Sequence, residues 1–179
     1  NKTITTGEGG MCIFREEKIA QRARIIRDHG MSPTKKYWHI EYGNNLRMTN
    51  IQAALGVAQL EQLPQFLSRK DEIKSFYNDA LKKIKGLFLF EAPKFSRNNN
   101  WMILLQINQK IYGENREELM KRLSLNNIQT RPVWSLIHQQ KPYRNCQTYK
   151  IEKANTLVDI SLCIPSSTNL KLNNLNKII

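Results

Sequence analysis

The sequence predicts a protein of mixed helices and strands, with a leading part at residues 1–63 and a small α+β domain at 64–179. A stretch without any charged residue, from Met48 to Leu60, closes the leading part and is typical of a packed helix. Beyond Gly86 the pattern changes to short apolar runs that alternate with short amphipathic stretches. We expect both ends of the sequence to cut through secondary structure, so that the chain is a fragment of a larger fold.

The leading part is predicted to open with a hairpin. Its two short strands, at 3–6 and 11–14, flank a glycine-rich turn, because glycine adopts positive φ at little cost. A helix is predicted over 16–29 and ends at Gly30. The 15 residues at 31–45 have no periodicity and several turn formers, so they predict a long loop, which in compact proteins is often functional.

A second helix is predicted from Thr49, because Gln52 three residues later completes a capping box. Gly56 inside this helix costs about 1 kcal/mol relative to alanine, which predicts close backbone packing and burial of the helix on most sides. Pro64 predicts a kink or a fresh start, followed by a helix to about residue 85.

The α+β domain has one predicted core stripe and six further elements. The stripe lies on the helix after Pro64 and comprises Phe66, Ile73, Tyr77, Leu81 and Ile84. Strands are predicted over 87–92, 100–108 and 128–134, and helices over 115–127, 151–160 and 169–179.

The formal charge of +13 is the most unusual bulk property. Lysines and arginines are dispersed among acids rather than gathered in a block, which argues against nucleic acid and favours a solvated surface or an anionic small substrate. The three cysteines are widely spaced, as expected of a protein in a reducing cytoplasm, and share no metal-ligand spacing with the three histidines. We expect no metal and no membrane span.

Lys2 at the start of the predicted hairpin has two interpretations. A lone lysine is usually a surface charge, but a lysine held on a rigid element and desolvated becomes a reactive amine. The residues alone leave both open.

Several motifs together identify a family resemblance. They are NKTITTGEGGM, RARIIRDHG, YWHIEYGNNLRMTNIQAALGVAQLEQL, FLSRKDEIKSFYNDAL, NNIQTRPVWSLIHQQKPY and SLCIPSSTNL. In this order they resemble the DegT/DnrJ/StrS family of pyridoxal-phosphate sugar aminotransferases over essentially the whole chain. The resemblance implies an α/β fold, the type I fold of pyridoxal-phosphate-dependent transferases. The leading part would end the large cofactor-binding domain, and residues 64–179 would be the small C-terminal domain.

The resemblance also implies a set of site residues. Lys2 matches the lysine that binds the cofactor covalently, and Asn45 matches the asparagine that reaches the cofactor phosphate of a neighbouring subunit; a loop-capping role is the alternative for Asn45. Asn44 and Leu46 stand where family members commonly have aromatics. Arg47 either holds the loop or faces a diphosphate.

Three further residues are candidates for substrate binding. Arg131 is suited to pairing with nucleotide phosphates, and its alternative is a surface arginine on a strand. His39 and His138 lie in predicted loops, where they contact the sugar or serve as hydrogen-bonded structural residues.

The implied activity is transfer of an amino group to a nucleotide-linked 4-keto-6-deoxy sugar, as in the making of GDP-perosamine for a surface polysaccharide such as the lipopolysaccharide O-antigen. The expected donor is glutamate, and the expected enzyme is a cytoplasmic homodimer. Alternatives are a UDP-sugar aminotransferase of the legionaminic-acid or bacillosamine branch and a non-catalytic, truncated interaction module. The family's cofactor-pairing aspartate, ring-stacking aromatic and phosphate-side serine precede the lysine, so we expect residues 1–179 alone to be inactive.

Overall fold

The computed structural model describes residues 2–179. Their contacts divide the chain into two compact units, Asn1–Leu63 and Pro64–Ile179. Among the described residues, no helix combines the length and apolarity that crossing a bilayer would require.

The first unit contains one complete helix, α1, at Glu17–Arg27, as the sequence predicts. The predicted hairpin before it is wrong, because residues 2–14 form no strand. Their backbone groups bond to side chains instead: Gly7 N donates to Thr5 Oγ1 at 3.0 Å and Thr5 N donates to Gln59 Oε1 at 3.3 Å. These bonds take up donors that a strand ladder would need.

Helix α2 spans Asn50–Leu81 and passes through Pro64 without a break. The predicted capping box forms, because Thr49 N donates to Gln52 Oε1 at 2.9 Å and Gln52 N donates to Thr49 Oγ1 at 3.3 Å. The proline removes one backbone donor from the ladder, a loss that this helix of 32 residues tolerates.

The predicted burial of the first turns of α2 is wrong within the described chain. Ile51 is 84% exposed, and Val57 and Leu60 are both more than half exposed. Burial begins at Lys70 and continues at Ile73, Tyr77 and Leu81. The predicted core stripe therefore holds in the C-terminal part of the helix, where the sheet of the second unit offers apolar side chains to pack against.

The second unit is built on a four-stranded antiparallel sheet with the order β1-β2-β4-β3. Its strands are β1 at Leu87–Leu89, β2 at Ile103–Ile107, β3 at Arg131–Pro132 and β4 at Ser161–Ile164. The fully buried Leu162 of β4 faces Leu105 of β2 and Pro132 of β3. The sequence did not predict β4, because these four residues follow a helix directly and carry no turn signal of their own.

Four shorter helices complete the second unit: α3 at Gln109–Tyr112, α4 at Arg116–Leu125, α5 at Glu152–Ile160 and α6 at Leu172–Ile178. The sequence predicts all of them except α3. Apolar side chains of α3, α4 and α6 join α2 and the sheet in one core, which includes Tyr77, Ile73, Leu105, Leu119, Leu162 and Leu175.

Side chains of α2 hold the segment that follows β4. Tyr77 Oη donates to Pro165 O at 2.9 Å, and Lys70 Nζ donates to Ser166 O at 2.8 Å. Burial lowers the pKa of Lys70 and raises the pKa of the Tyr77 hydroxyl. Arg69 Nη2 donates to Leu170 O at 2.5 Å, so three carbonyls of one loop are fixed by one helix.

Candidate active site

The segment that carries Lys2 rests on one face of α2. Thr5 N bonds to Gln59 as described above, and Gln52 Nε2 donates to Glu8 O at 3.5 Å. A Cβ placed at Gly56 would lie 3.0 Å from Thr6 Cγ2. Gly56 therefore permits the close packing that the sequence predicts, between two glutamines seven residues apart on the same helix.

The Lys2 side chain is exposed, and the next residue, Thr3, has a buried hydroxyl. Thr3 Oγ1 is buried and has no hydrogen-bond partner among the described residues. A buried hydroxyl of this kind costs free energy unless a partner satisfies it, so the place beside Lys2 is suited to a polar ligand.

The loop after α1 folds back on the end of that helix through two glycines. A Cβ at Gly30 would lie 1.8 Å from Glu41 O, and a Cβ at Gly43 would lie 2.1 Å from Gly30 N. Gly30 also has a φ of 68°, in the left-handed region. The two backbone segments of the loop can approach this closely only because Gly30 and Gly43 lack a side chain.

Asn45 sits on backbone that is fixed by the end of α1. Asn44 N donates to Ile26 O at 2.9 Å, and Leu46 N donates to Arg27 O at 3.0 Å. Asn45 itself forms an isolated antiparallel bridge with Asp28. The Asn45 side chain is exposed, so a firmly held backbone presents its amide to solvent.

The structure brings His39 and Arg47 to the same end of α1. Arg47 Nε lies 3.4 Å from Asp28 Oδ1, and a ring nitrogen of His39, Nδ1, lies 2.8 Å from His29 O. The ion pair supports the loop-holding interpretation of Arg47, and the hydrogen bond gives His39 a structural partner. Asp28, which sequence reasoning did not single out, is the common partner of Asn45 and Arg47.

Arg131 and His138 belong to the second unit. Arg131 lies on β3, is exposed, and faces Cys163 of β4 across the sheet. Burial raises the pKa of the Cys163 thiol, and the positive charge of Arg131 opposes that rise. His138 lies in a short 3₁₀ turn at Ile137–Gln139 and is half-buried.

Replacing Gly43 by alanine is expected to loosen the loop at Asn45. The new methyl would lie 2.1 Å from Gly30 N and 2.5 Å from His29 C, so the backbone must shift, at about 1–3 kcal/mol of local stability. Hydrogen exchange at the amides of Asn44 and Leu46 measures that loss. Gly10→Ala is the matched control, because no atom lies within 4 Å of its added Cβ. Equal exchange in the two variants would contradict the expectation.

The family of the chain follows from comparison with known proteins. The described residues comprise an exposed lysine on a segment bonded to α2, an exposed asparagine on a loop bonded to α1, and an α+β unit with a small antiparallel sheet. A profile of the DegT/DnrJ/EryC1/StrS aminotransferase family matches residues 1–179. The chain belongs to this family.

Two relatives are named GDP-perosamine synthase. The protein of Caulobacter vibrioides is 31% identical over 180 residues, which cover 100% of this chain and 48% of the relative. The protein of Escherichia coli O157:H7 is 40% identical over 144 residues, which cover 80% of this chain and 38% of the relative. This chain thus spans less than half the length of each of these two proteins.

A solved aminotransferase structure has the same fold as this chain. The aminotransferase PseC of Helicobacter pylori, described as involved in the biosynthesis of pseudoaminic acid, superimposes with a TM-score of 0.86 at 22% identity. The match covers 98% of this chain and 48% of PseC. The type I fold of pyridoxal-phosphate-dependent transferases is therefore confirmed, as is pyridoxal 5′-phosphate as the cofactor that the family implies.

The residues of the first unit fit part of that cofactor. An amine such as that of Lys2 can react with an aldehyde, and an exposed amide such as that of Asn45 can donate to a phosphate oxygen. The buried Thr3 hydroxyl has no hydrogen-bond partner among residues 2–179. The carboxylates of Asp28 and Glu41 both pair with arginines. By their chemistry, Lys2 and Asn45 would suit the aldehyde and the phosphate of the cofactor, while Asp28 and Glu41 lie in ion pairs with arginines.

Proposed function

We propose that this chain supplies Lys2 and Asn45 to an aminotransferase that converts a GDP-linked 4-keto-6-deoxy sugar to the 4-amino sugar. The family match over residues 1–179 is the observation that carries the proposal, since it spans the lysine motif and the asparagine loop together. Relatives named GDP-perosamine synthase favour guanosine as the nucleotide. Glutamate is the proposed amino donor, the product serves a surface polysaccharide, and the enzyme works as a cytoplasmic homodimer.

Lys2 carries the proton chemistry in this proposal. The bound cofactor would supply an aldehyde that reacts with amines and a ring that accepts electrons. The amine of Lys2 would hold the cofactor, leave when the amino donor arrives, and then move a proton between neighbouring carbon atoms. The segment at residues 2–14 is bonded to Gln59 through Thr5 and to Gln52 through Glu8, which would limit the reach of that amine.

Asn45 would bind the phosphate, and Arg47 would position it. The amide donates to a phosphate oxygen, while the ion pair of Arg47 with Asp28 keeps the loop against α1. Arg131 is the proposed partner of the nucleotide phosphates, because a planar guanidinium binds two oxygens at once. His39 and His138 are the proposed sugar contacts.

The test is amino transfer by the purified gene product that contains residues 1–179. It is incubated with pyridoxal phosphate, glutamate and the GDP-linked 4-keto-6-deoxy sugar, and products are identified by mass spectrometry. A GDP-linked amino sugar is the expected product. Transfer only to a UDP-linked 4-keto sugar would support the branch that makes legionaminic acid or bacillosamine, and transfer to neither would overturn the proposal.

A polypeptide of residues 1–179 alone is expected to give no amino transfer above the rate of free pyridoxal phosphate. The proposal assigns the partner of the cofactor ring nitrogen to a part of the family fold outside these residues, and without it the ring is a poor electron acceptor. The same assay measures this. Turnover by residues 1–179 alone would show that they contain a complete site.

A non-catalytic interaction module is the remaining alternative. The exposed apolar side chains at the start of α2, Ile51, Val57 and Leu60, would then be a binding surface for another polypeptide. A gene product that takes up no cofactor and copurifies with a second polypeptide in fixed ratio would favour it.

A further inference from the structure

An aromatic and basic loop tip protrudes from the first unit. Tyr37 is 79% exposed and Trp38 is 54% exposed, although large aromatic side chains are normally covered. Lys35 Nζ lies 3.9 Å from the centre of the Trp38 ring, and Lys36 Nζ lies 6.0 Å from that of Tyr37. Each exposed ring therefore has a cation beside it.

The loop tip is held in a defined conformation. Ser32 N donates to Trp38 O at 2.7 Å and closes the turn, and Lys35 N donates to Ser32 Oγ at 3.2 Å inside it. Tyr37 adopts a φ of 60°, which is unfavourable for an aromatic residue. Residues held in unfavourable backbone conformations cluster at active and ligand-binding sites, so the conformation of Tyr37 makes this loop tip a candidate binding site.

The charge around these rings favours an anion. Glu41 is the one acid between residues 31 and 42, and its carboxylate pairs with Arg22 at 3.2 Å. The loop therefore contains no other carboxylate that could neutralise Lys35 and Lys36. The whole chain carries a net charge of +13. The loop therefore attracts negative charge next to flat apolar faces.

We propose that this loop tip binds the nucleoside diphosphate of the substrate, with the base stacked on Trp38 and the phosphates paired with Lys35 and Lys36. The proposal rests on the proposed function and adds a nucleotide site to it. Aromatic rings stack on any base, and lysines pair with phosphate oxygens. A protein partner fits this tip less well, because the centres of protein interfaces are depleted in lysine.

The test is titration of the gene product with GDP, followed by tryptophan fluorescence and by calorimetry. Trp38→Ala is expected to raise the Kd for GDP about tenfold, in the range found for loss of one stacked base. Trp38→Phe retains a ring and is expected to stay within about threefold. Tyr149→Ala is the matched control, because Tyr149 is 76% exposed and also has a lysine, Lys150, with its Nζ 5.1 Å from the ring centre.

Two further arms separate the contributions of base and phosphate. Inorganic pyrophosphate should bind more weakly than GDP and be insensitive to Trp38→Ala, since it has no base to stack. The double change Lys35→Ala and Lys36→Ala should flatten the dependence of GDP binding on salt. UDP in place of GDP reports whether the site prefers one base.

Unchanged GDP affinity in Trp38→Ala, or no binding of GDP by the unaltered protein, would overturn the proposal. The proposal would also be overturned if Trp38→Ala changed the mass of the protein in solution and left GDP binding unchanged. Trp38 would then belong to a protein interface. The titration needs neither cofactor nor turnover. Trp38-dependent GDP binding without amino transfer would therefore refute the proposed reaction and leave this site standing.

Discussion

Lys2→Arg is expected to lower amino transfer by the gene product at least about 100-fold, which is the smallest contribution usual for a positioned proton-transfer group. Arginine keeps the positive charge and much of the length of lysine, but its guanidinium stays protonated and is a poor nucleophile. The turn at 2–14 keeps its bonds to Gln52 and Gln59 of α2, so the change affects the amine rather than the fold. Lys2→Ala should give the same loss.

Borohydride reduction provides a second readout for Lys2. Reduction in the presence of pyridoxal phosphate is expected to leave the cofactor attached to the peptide containing Lys2, and to leave that peptide unlabelled in Lys2→Arg. Lys18→Arg is the control, because Lys18 is an exposed lysine of α1 in the same unit. An arginine variant with more than a tenth of the original transfer rate would exclude Lys2 as the catalytic amine.

Local rules predicted the helices of this chain well. The capping box at Thr49 and the buried run of Ile73, Tyr77 and Leu81 form as expected, while α1 ends at Arg27, three residues before the predicted stop at Gly30. Each depends on contacts within one or two helical turns or on a regular apolar period. Such information is present in a short window of sequence.

Local sequence rules failed where residues distant in the sequence determine the structure. The glycines at 7–10 predicted a hairpin, but Gln59, more than 50 residues away, supplies an acceptor for the segment that contains them. The apolar start of α2 predicted burial, yet residues such as Ile51 stay exposed in the described chain. Strand β4 is defined by its pairing with β2 and β3 rather than by its own length.

The candidate site shows the same difference between what local patterns predict and what long-range contacts determine. Lys2 and Asn45 were predicted as site residues because their motifs resemble a family, whereas the residues that hold them in place were not predicted. Gln52 and Gln59 could have been noticed as a pair seven residues apart with Gly56 between them, a spacing that places all three near one face of a helix. The role of Asp28 depends on a loop that folds back on α1, and no local pattern encodes that.

Tyr77→Ala is expected to cost about 3–5 kcal/mol of the free energy of unfolding of the second unit, the range for removing a large buried ring. Tyr77 is fully buried, packs in the core with the sheet, and meets Phe76 edge-on with ring centres 6.1 Å apart. Its hydroxyl also holds Pro165 O at 2.9 Å. Truncation therefore removes core volume and releases the loop after β4 together.

Tyr77→Phe separates these two contributions. The ring stays and Pro165 O loses its donor, so the expected cost is about 1–2 kcal/mol. Because burial raises the pKa of the hydroxyl, the unfolded chain loses that proton at lower pH than the folded one. The stabilisation by Tyr77 is then fully present below the unfolded pKa of about 10 and falls as the pH rises above it.

Denaturant unfolding of the three proteins at pH 7 and pH 10.5 measures both effects. The advantage of tyrosine over phenylalanine should shrink at the higher pH, while the deficit of Tyr77→Ala relative to Tyr77→Phe should remain, because packing does not titrate. Tyr149→Ala, at an exposed tyrosine of the same unit, should change stability by no more than about 0.5 kcal/mol. If Tyr77→Ala and Tyr149→Ala unfold alike, the core of the second unit does not depend on the contact between α2 and the sheet.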